Sequence, residues 1–200
     1  MDLTALAQGR RRRSTPLAAR SLLCLVATAL LLVPAQAQKA TEYEVKAAYL
    51  FNFGKFLRQP DTPDAVARRS SFDICVLGRN DFGAILEKLT ANEQVNGLPE
   101  RTLKVPNAVA ARTCAILFIS SSEADHIDQD VTDLAGAPVL TVSDMPHFLD
   151  HAGMIEFEMQ ANHVRFSVGL DAVTRAGLGL SSELLKVSLQ VTGTPKRGTP

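Results

Sequence analysis

From Thr41 to Leu57, apolar Tyr43, Ala47, Leu50, Phe51 and Leu57 recur mostly at three- and four-residue steps, which predicts a helix with one face turned to a core. It stops before Pro60, and the stretch from Gln59 to Ser71, with Pro60, Pro63 and paired arginines, reads as a surface connection. Phe72 to Leu77 is a short apolar run closed by Gly78, and Asn80 or Asp81 is placed to cap a helix running through Leu89. Asn96-Gly97 is a turn before a second strand around Thr102 to Val105. Cys114 to Ile119 is nearly all apolar, the pattern of a strand buried on both faces of a parallel sheet. Ser120 to Ser122 cap a helix reaching Leu134, and Gly136 ends it before a strand at Pro138 to Val142. Met154 to Met159 and His163 to Val168 flank Gln160-Ala161-Asn162 as an antiparallel hairpin, followed by helices from Leu170 and from Ser181 to Val191. The alternation of strands and helices predicts a single α/β domain with a doubly wound, mostly parallel sheet closed by that C-terminal hairpin.

Ahead of this pattern the chain is different. Arg10 to Arg13 and Arg20 form a positive region, Ser21 to Val33 an apolar run, and Ala35-Gln36-Ala37 supplies small residues, so 1–37 reads as a signal peptide cleaved after Ala37. The apolar run is too short for a membrane span, which needs roughly 20 residues. The expected organisation is therefore a signal at 1–37, one domain at 38–192 and a disordered tail at 193–200. The 200 residues hold 21 basic and 21 acidic groups, and setting aside the five arginines and one aspartate of the signal leaves 16 and 20. That mildly acidic domain excludes a nucleic-acid groove, and the lack of Trp with only two Tyr excludes base-stacking platforms. No membrane insertion of the mature chain is expected. Export also places the two mature cysteines, Cys75 and Cys114, in an oxidising compartment, which favours disulfides over thiols or zinc thiolates.

The candidate chemistry is sparse. Gly78-Arg79-Asn80-Asp81-Phe82-Gly83 lies where a strand feeds a helix, a place where backbone amides hold anions. Asn80 stands where a dinucleotide fingerprint needs its middle glycine, and no Gly-Lys-Ser/Thr follows to make a P-loop, so a capped turn is the simpler reading. His147 and His151 lie four apart near Asp144 and Asp150, a spacing that offers two imidazoles on one helical face, but Phe148 stands where a zinc-protease helix needs glutamate. Surface histidines account for them as well. His126 follows Ser120 to Ser122 and Asp125 without a Gly-x-Ser-x-Gly elbow. Glu156 and Glu158 share one strand face, opposite Ile155, Phe157 and Met159, as a solvated sheet face requires. No catalytic residue, metal or cofactor is expected. Tyr49, Phe53 and Phe56, beside Phe51, add more aromatic area than one inward stripe needs, and exposed aromatic area marks partner surfaces.

Val45-Lys46-Ala47-Ala48-Tyr49-Leu50-Phe51-Asn52-Phe53-Gly54-Lys55-Phe56, Ile74-Cys75-Val76-Leu77-Gly78, Val95-Asn96-Gly97, Cys114 through Ser120, Pro138 to Val142, Gly153-Met154-Ile155 and Val164-Arg165-Phe166 together resemble the YfiR family of bacterial periplasmic proteins. The resemblance runs from about Glu44 to Val191. It implies a Rossmann-like three-layer α/β domain without a catalytic site, acting as a periplasmic repressor. Relatives bind the periplasmic sensor portion of an inner-membrane diguanylate cyclase and hold down cyclic-di-GMP output and biofilm formation. It further implies a homodimer and a disulfide joining Cys75 to Cys114. Two departures stand out: Gln59 precedes Pro60 where the family usually has Trp-Pro, and Glu156 occupies a position where many relatives have Asn. On this reading Tyr49, Phe53 and Phe56 are the candidate partner contacts, and a small-ligand sensing module with its pocket near Gly78 to Gly83 is the alternative.

Overall fold

The computed structural model describes residues 41–59 and 69–193; the expected signal peptide, most of the surface connection and the rest of the tail lie outside them. Helix α1 spans Glu42–Phe56 and begins with a capping box. The Thr41 hydroxyl accepts from the Glu44 amide at 3.3 Å while the Glu44 carboxylate accepts from the Thr41 amide at 2.5 Å. Those two bonds satisfy donors that a helix start leaves open.

Strand β1 (Leu57–Arg58) follows directly, then β2 (Phe72–Leu77), α2 (Ile85–Thr90), β3 (Gln94–Val95), β4 (Leu98–Val105), β5 (Ile116–Ile119), α3 (Ile127–Asp133) and β6 (Leu140–Ser143). The chain closes with β7 (Ile155–Gln160), β8 (His163–Gly169), α4 (Leu170–Arg175), β9 (Gly179–Leu180), α5 (Ser182–Val187) and β10 (Val191–Thr192). Eight strands form the main sheet in the order β10-β8-β7-β6-β5-β2-β4-β3, and β1 pairs with β9 in a small ribbon. Strands β4, β2, β5, β6 and β7 are mutually parallel, β8 runs antiparallel to β7, and β10 runs parallel to β8. The order β4-β2-β5-β6-β7 is the doubly wound 2-1-3-4-5 arrangement, whose switch point lies between β2 and β5.

Strand alternation sorts the core into two layers. Ile74, Val76, Ile116, Phe118, Leu140, Val142, Phe157 and Phe166 point to the face covered by α1, α2 and α5. Cys75, Leu77, Leu117 and Ile119 point to the other face, under α3 and Phe148. β5 and β6 are buried at every position, as strands covered on both sides must be.

Three expectations from the sequence shift. The helix after Gly78 starts at Ile85, because Asn80 spends its side chain on the Phe82 amide within the preceding turn (3.1 Å). The Ser120 cap is present, but it opens a 3-10 segment, Ser121–His126, before α3. The final helix ends at Val187, where Val187, Leu189 and Val191 alternate with Ser188, Gln190 and Thr192. That period of two suits the edge strand β10, which docks on β8 through Val168 N to Gln190 O at 2.9 Å.

Cys75 in β2 and Cys114 just before β5 form a disulfide with Cα atoms 6.2 Å apart, closing a sequence separation of 39 residues. Both are buried in the α3-side core. In the chain-entropy account such a loop contributes about 4 kcal/mol. Replacing both by Ser is expected to lower the melting temperature by about 10 °C, and intact-mass analysis of the untreated protein should find no alkylatable thiol; two free thiols would contradict the bridge.

Glu100 in β4 is buried with neither carboxylate oxygen hydrogen-bonded. Burial pushes its carboxyl up from the ordinary 4.5 to about 7, with Lys55 pulling it down and Glu93 adding to the rise. A carboxyl raised in the folded state binds its proton more tightly there than in the unfolded chain, so its contribution to stability falls as pH rises from about 4.5 towards 7. Glu100→Gln should remove that part of the pH dependence and melt higher than the parent at pH 8. An equal or lower melting temperature there would contradict the assignment.

Candidate functional site

In a doubly wound sheet, ligands bind outside the carboxyl ends of the strands at the switch point. Beside it, at the carboxyl end of β6, polar side chains of α1 meet Asp144. Asp144 follows β6 directly, and its carboxylate accepts from Lys46 Nζ at 2.8 Å, from the Tyr43 hydroxyl at 2.9 Å and from the Ser121 amide at 3.3 Å. The side chains of Lys46 and Asp144 are only 5% and 7% exposed, and Lys46 reaches back one helical turn to Glu42 at 2.5 Å. Tyr43 also lies 3.4 Å from Asp81 and packs its ring edge-on against Phe82, centroids 5.5 Å apart. Burial, followed by the hydrogen bond that the hydroxyl donates to Asp144, raises the Tyr43 phenol above its ordinary range, so it stays protonated and donating.

The Gly78 to Gly83 turn is held on its outer side. Arg79 pairs with Asp81 at 2.8 Å, and the Arg79 amide donates to the Ser122 hydroxyl at 3.0 Å. Gly78 has φ of +84°, and a Cβ there would sit 2.5 Å from Ser122 Oγ and 2.6 Å from Glu123 Oε1. The glycine is required by closeness and by backbone conformation together. The turn that the sequence offered as an anion cradle is thus packed against the β5 end of the sheet.

The histidines do not converge. The segment Phe148–His151 is a 3-10 turn, so the four-residue spacing of His147 and His151 does not put them on one face. His151 pairs with Asp128 at 2.6 Å, while His147 sits 3.5 Å from Asp150. Among the described residues no group of His, Cys, Asp and Glu is arranged to hold a metal ion. His126 is exposed at the end of the Ser121–His126 turn. Glu156 and Glu158 are half-buried and engaged, in place of the solvated face the alternation suggested. Glu156 accepts from the amides of His147 (3.0 Å) and Leu149 (3.2 Å), and Glu158 accepts from the Ser167 hydroxyl.

Among the three aromatic partner candidates, Phe53 is a core residue. It is fully buried, stacked on Phe157 with centroids 6.0 Å apart and edge-on to Phe166 at 5.2 Å, because α1 lies across the β7–β8 hairpin. Tyr49 is half-buried in the same cluster, 5.4 Å from Phe166 and 5.9 Å from Phe157. Phe56 is half-buried against the core as well. The exposed large apolar side chains among the described residues are Leu103 on β4, Val109 after it, Met159 on β7, and Val187, Leu189 and Val191, which run from the end of α5 into β10.

The Lys46–Asp144–Tyr43 cluster escaped the sequence reading. Its signal was present: Lys46 falls on the inward stripe with Leu50 and Phe53, at steps of four and three, where a lysine has no reason to be unless a carboxylate meets it.

A family model described as YfiR/HmsC-like matches residues 43–188. A search of curated proteins found no match. Among solved structures, a conserved domain protein from Vibrio cholerae O1 biovar El Tor aligns with a TM-score of 0.51 at 10% identity, covering 76% of this chain and 60% of that one. The ABC domain of a Streptococcus pneumoniae protein in complex with L-Trp aligns with a TM-score of 0.48 at 12% identity, covering 72% and 59%. The chain therefore spans about three fifths of the length of each, and the Vibrio likeness shows the mixed α/β fold.

Breaking a buried ion pair from one side costs about 3 kcal/mol or more. Asp144→Ala is expected to destabilise the domain by about that amount, with Lys46→Met costing less because Asp144 keeps the Tyr43 hydroxyl and the Ser121 amide as donors. In chemical denaturation the double variant should be more stable than the sum of the singles by more than about 1 kcal/mol. Additivity to within about 0.5 kcal/mol would contradict the coupling.

Proposed function

The chain belongs to the YfiR/HmsC-like family, whose model covers residues 43–188, and from that membership we propose that it is a periplasmic regulator that binds the periplasmic sensor portion of an inner-membrane diguanylate cyclase and represses it. The family match over nearly the whole domain carries the reading. The polar groups at the carboxyl end of β6 support it: Tyr43 and Lys46 are both engaged in donating to Asp144, which suits a structural role for them in a scaffold that works through its surface. Reaching the periplasm relies on the signal read in residues 1–37. No helix among the described residues is long and apolar enough to cross a membrane, so on this reading the cyclase supplies the membrane anchor.

The partner contact is assigned to the exposed apolar row Val187, Leu189 and Val191, since Phe53 is spent inside. These residues lie on or beside the edge strand β10, and a row of apolar side chains on a sheet edge is a ready surface for another protein. The rule that a few central anchors dominate an interface sets the expected effect at about 2 kcal/mol or more for a disrupted anchor, roughly thirtyfold in affinity.

The test is co-purification of the tagged chain with a diguanylate cyclase from detergent-solubilised membranes. Leu189→Asp should lose the cyclase while keeping the parent melting temperature within a few degrees, whereas Phe53→Ala should lose about 3 to 5 kcal/mol of stability. Absence of any diguanylate cyclase in the parent eluate would contradict the proposed partner. Retention by Leu189→Asp would contradict the proposed surface alone.

A further inference from the structure

A second concavity lies at the opposite end of β6 from Asp144. The last turn of α3, the Gly136–Ala137 turn, the starts of β6 and β7, and α4 enclose a cleft of about 420 Å³. Its walls are Leu134, Ala137, Val139, Met154 and Ala172, with Arg175 the one charged residue among its lining. The size falls in the range of small-molecule sites.

The polar atoms of these walls are largely spent within the protein. The carbonyls of Asp133 and Ala135 accept from Arg112 at 2.5 and 3.2 Å, and the Leu134 carbonyl accepts from the Ala137 amide at 2.9 Å. The Ala172 carbonyl accepts from the Ala176 amide at 3.1 Å. The Thr132 hydroxyl donates to Asp128 O at 2.7 Å, and the Thr141 hydroxyl accepts from the Met154 amide at 3.2 Å. A polar occupant would lose its hydration and find few partners, whereas hydrocarbon loses nothing. Arg175 is different. It is exposed on α4 and takes part in no salt bridge or side-chain hydrogen bond among the described residues.

We propose that this cleft binds a single-chain amphiphile with a carboxylate head, its hydrocarbon against the Leu134–Val139–Met154–Ala172 walls and its head on the Arg175 guanidinium. One planar guanidinium pairs with one carboxylate through two parallel N–H donors, and its single charge balances a monoanionic head. The lining shares no residue with the Val187–Val191 row, so different substitutions test the cleft and the partner reading.

The experiment is isothermal titration of the purified chain with hexanoate, octanoate and decanoate, each below its micellar concentration, against decanol and decyltrimethylammonium. Saturable one-to-one binding is expected, tightening about tenfold for every two methylenes added. Decanol should bind about tenfold more weakly than decanoate, and Arg175→Gln should lose that difference without a change in melting temperature. Ala176→Phe should block the cleft; if it melts early, Ala135→Phe on the exposed rim tests the same occlusion. Failure of decanoate to bind, equal binding of decyltrimethylammonium, or unchanged affinity in Arg175→Gln would each overturn the proposal. So would a concentration-dependent dimer that Ala135→Phe dissolves and decanoate leaves intact, since a second copy would then be the occupant.

Discussion

A lysine charge taken out of water must be met by an opposite charge and by hydrogen bonds, or the fold loses several kcal/mol. In this protein Lys46 meets Asp144, and that meeting fixes where α1 lies. It joins the first helix to the carboxyl end of β6, across a sequence separation of 98 residues, and brings Tyr43 over Asp81 and Phe82. With the start of α1 tied there, its middle turns fall on the β7–β8 hairpin, and Leu50 and Phe53 are carried into the core. A hydrophobic pair of similar volume packs without directional bonds, whereas the ion pair, with Asp144 also accepting from Tyr43 and the Ser121 amide, ties the helix to one end of β6.

That arrangement also decides what the sheet is free to do. The 2-1-3-4-5 order creates a crevice at the switch between β2 and β5, the place where related topologies take nucleotides and other small ligands. Residues from α1 reach the neighbouring carboxyl end of β6, and at the β10 edge of the main sheet Leu189 and Val191 are exposed to another molecule. The disulfide works at the other end of the same central strands, tying β2 to the entry of β5 behind the α3-side core. Arg69 reinforces that end by donating to the carbonyls of Cys114 and Pro138 at 3.2 and 3.3 Å.

Much of this was legible in the sequence, and the reasons are physical. The double-sided apolar runs at Ile74–Leu77 and Ile116–Ile119 announce parallel strands, and the turn at Asn96-Gly97 fits the positive φ of both residues, +53° and +80°. Aromatic residues on α1 were the misleading signal. Periodicity counts how many apolar residues a helix carries, yet only the long-range placement of Phe157 and Phe166 shows that Phe53 is wanted inside. Glu156 was equally opaque, because its partners are backbone amides of a turn nine and seven residues earlier, which side-chain patterns do not reveal. The strand β10 was hidden because Ser181 caps a real helix that simply stops sooner than its composition allows.

The proposed role is repression of a membrane diguanylate cyclase from the periplasm. Cyclic-di-GMP measured in cells deleted for the chain, beside the parent and a strain restored with the full-length sequence, bears on this most directly. A repressor of the cyclase gives a rise on deletion that the restored chain reverses. Equal levels in all three strains, with the protein exported normally in the parent, would contradict it.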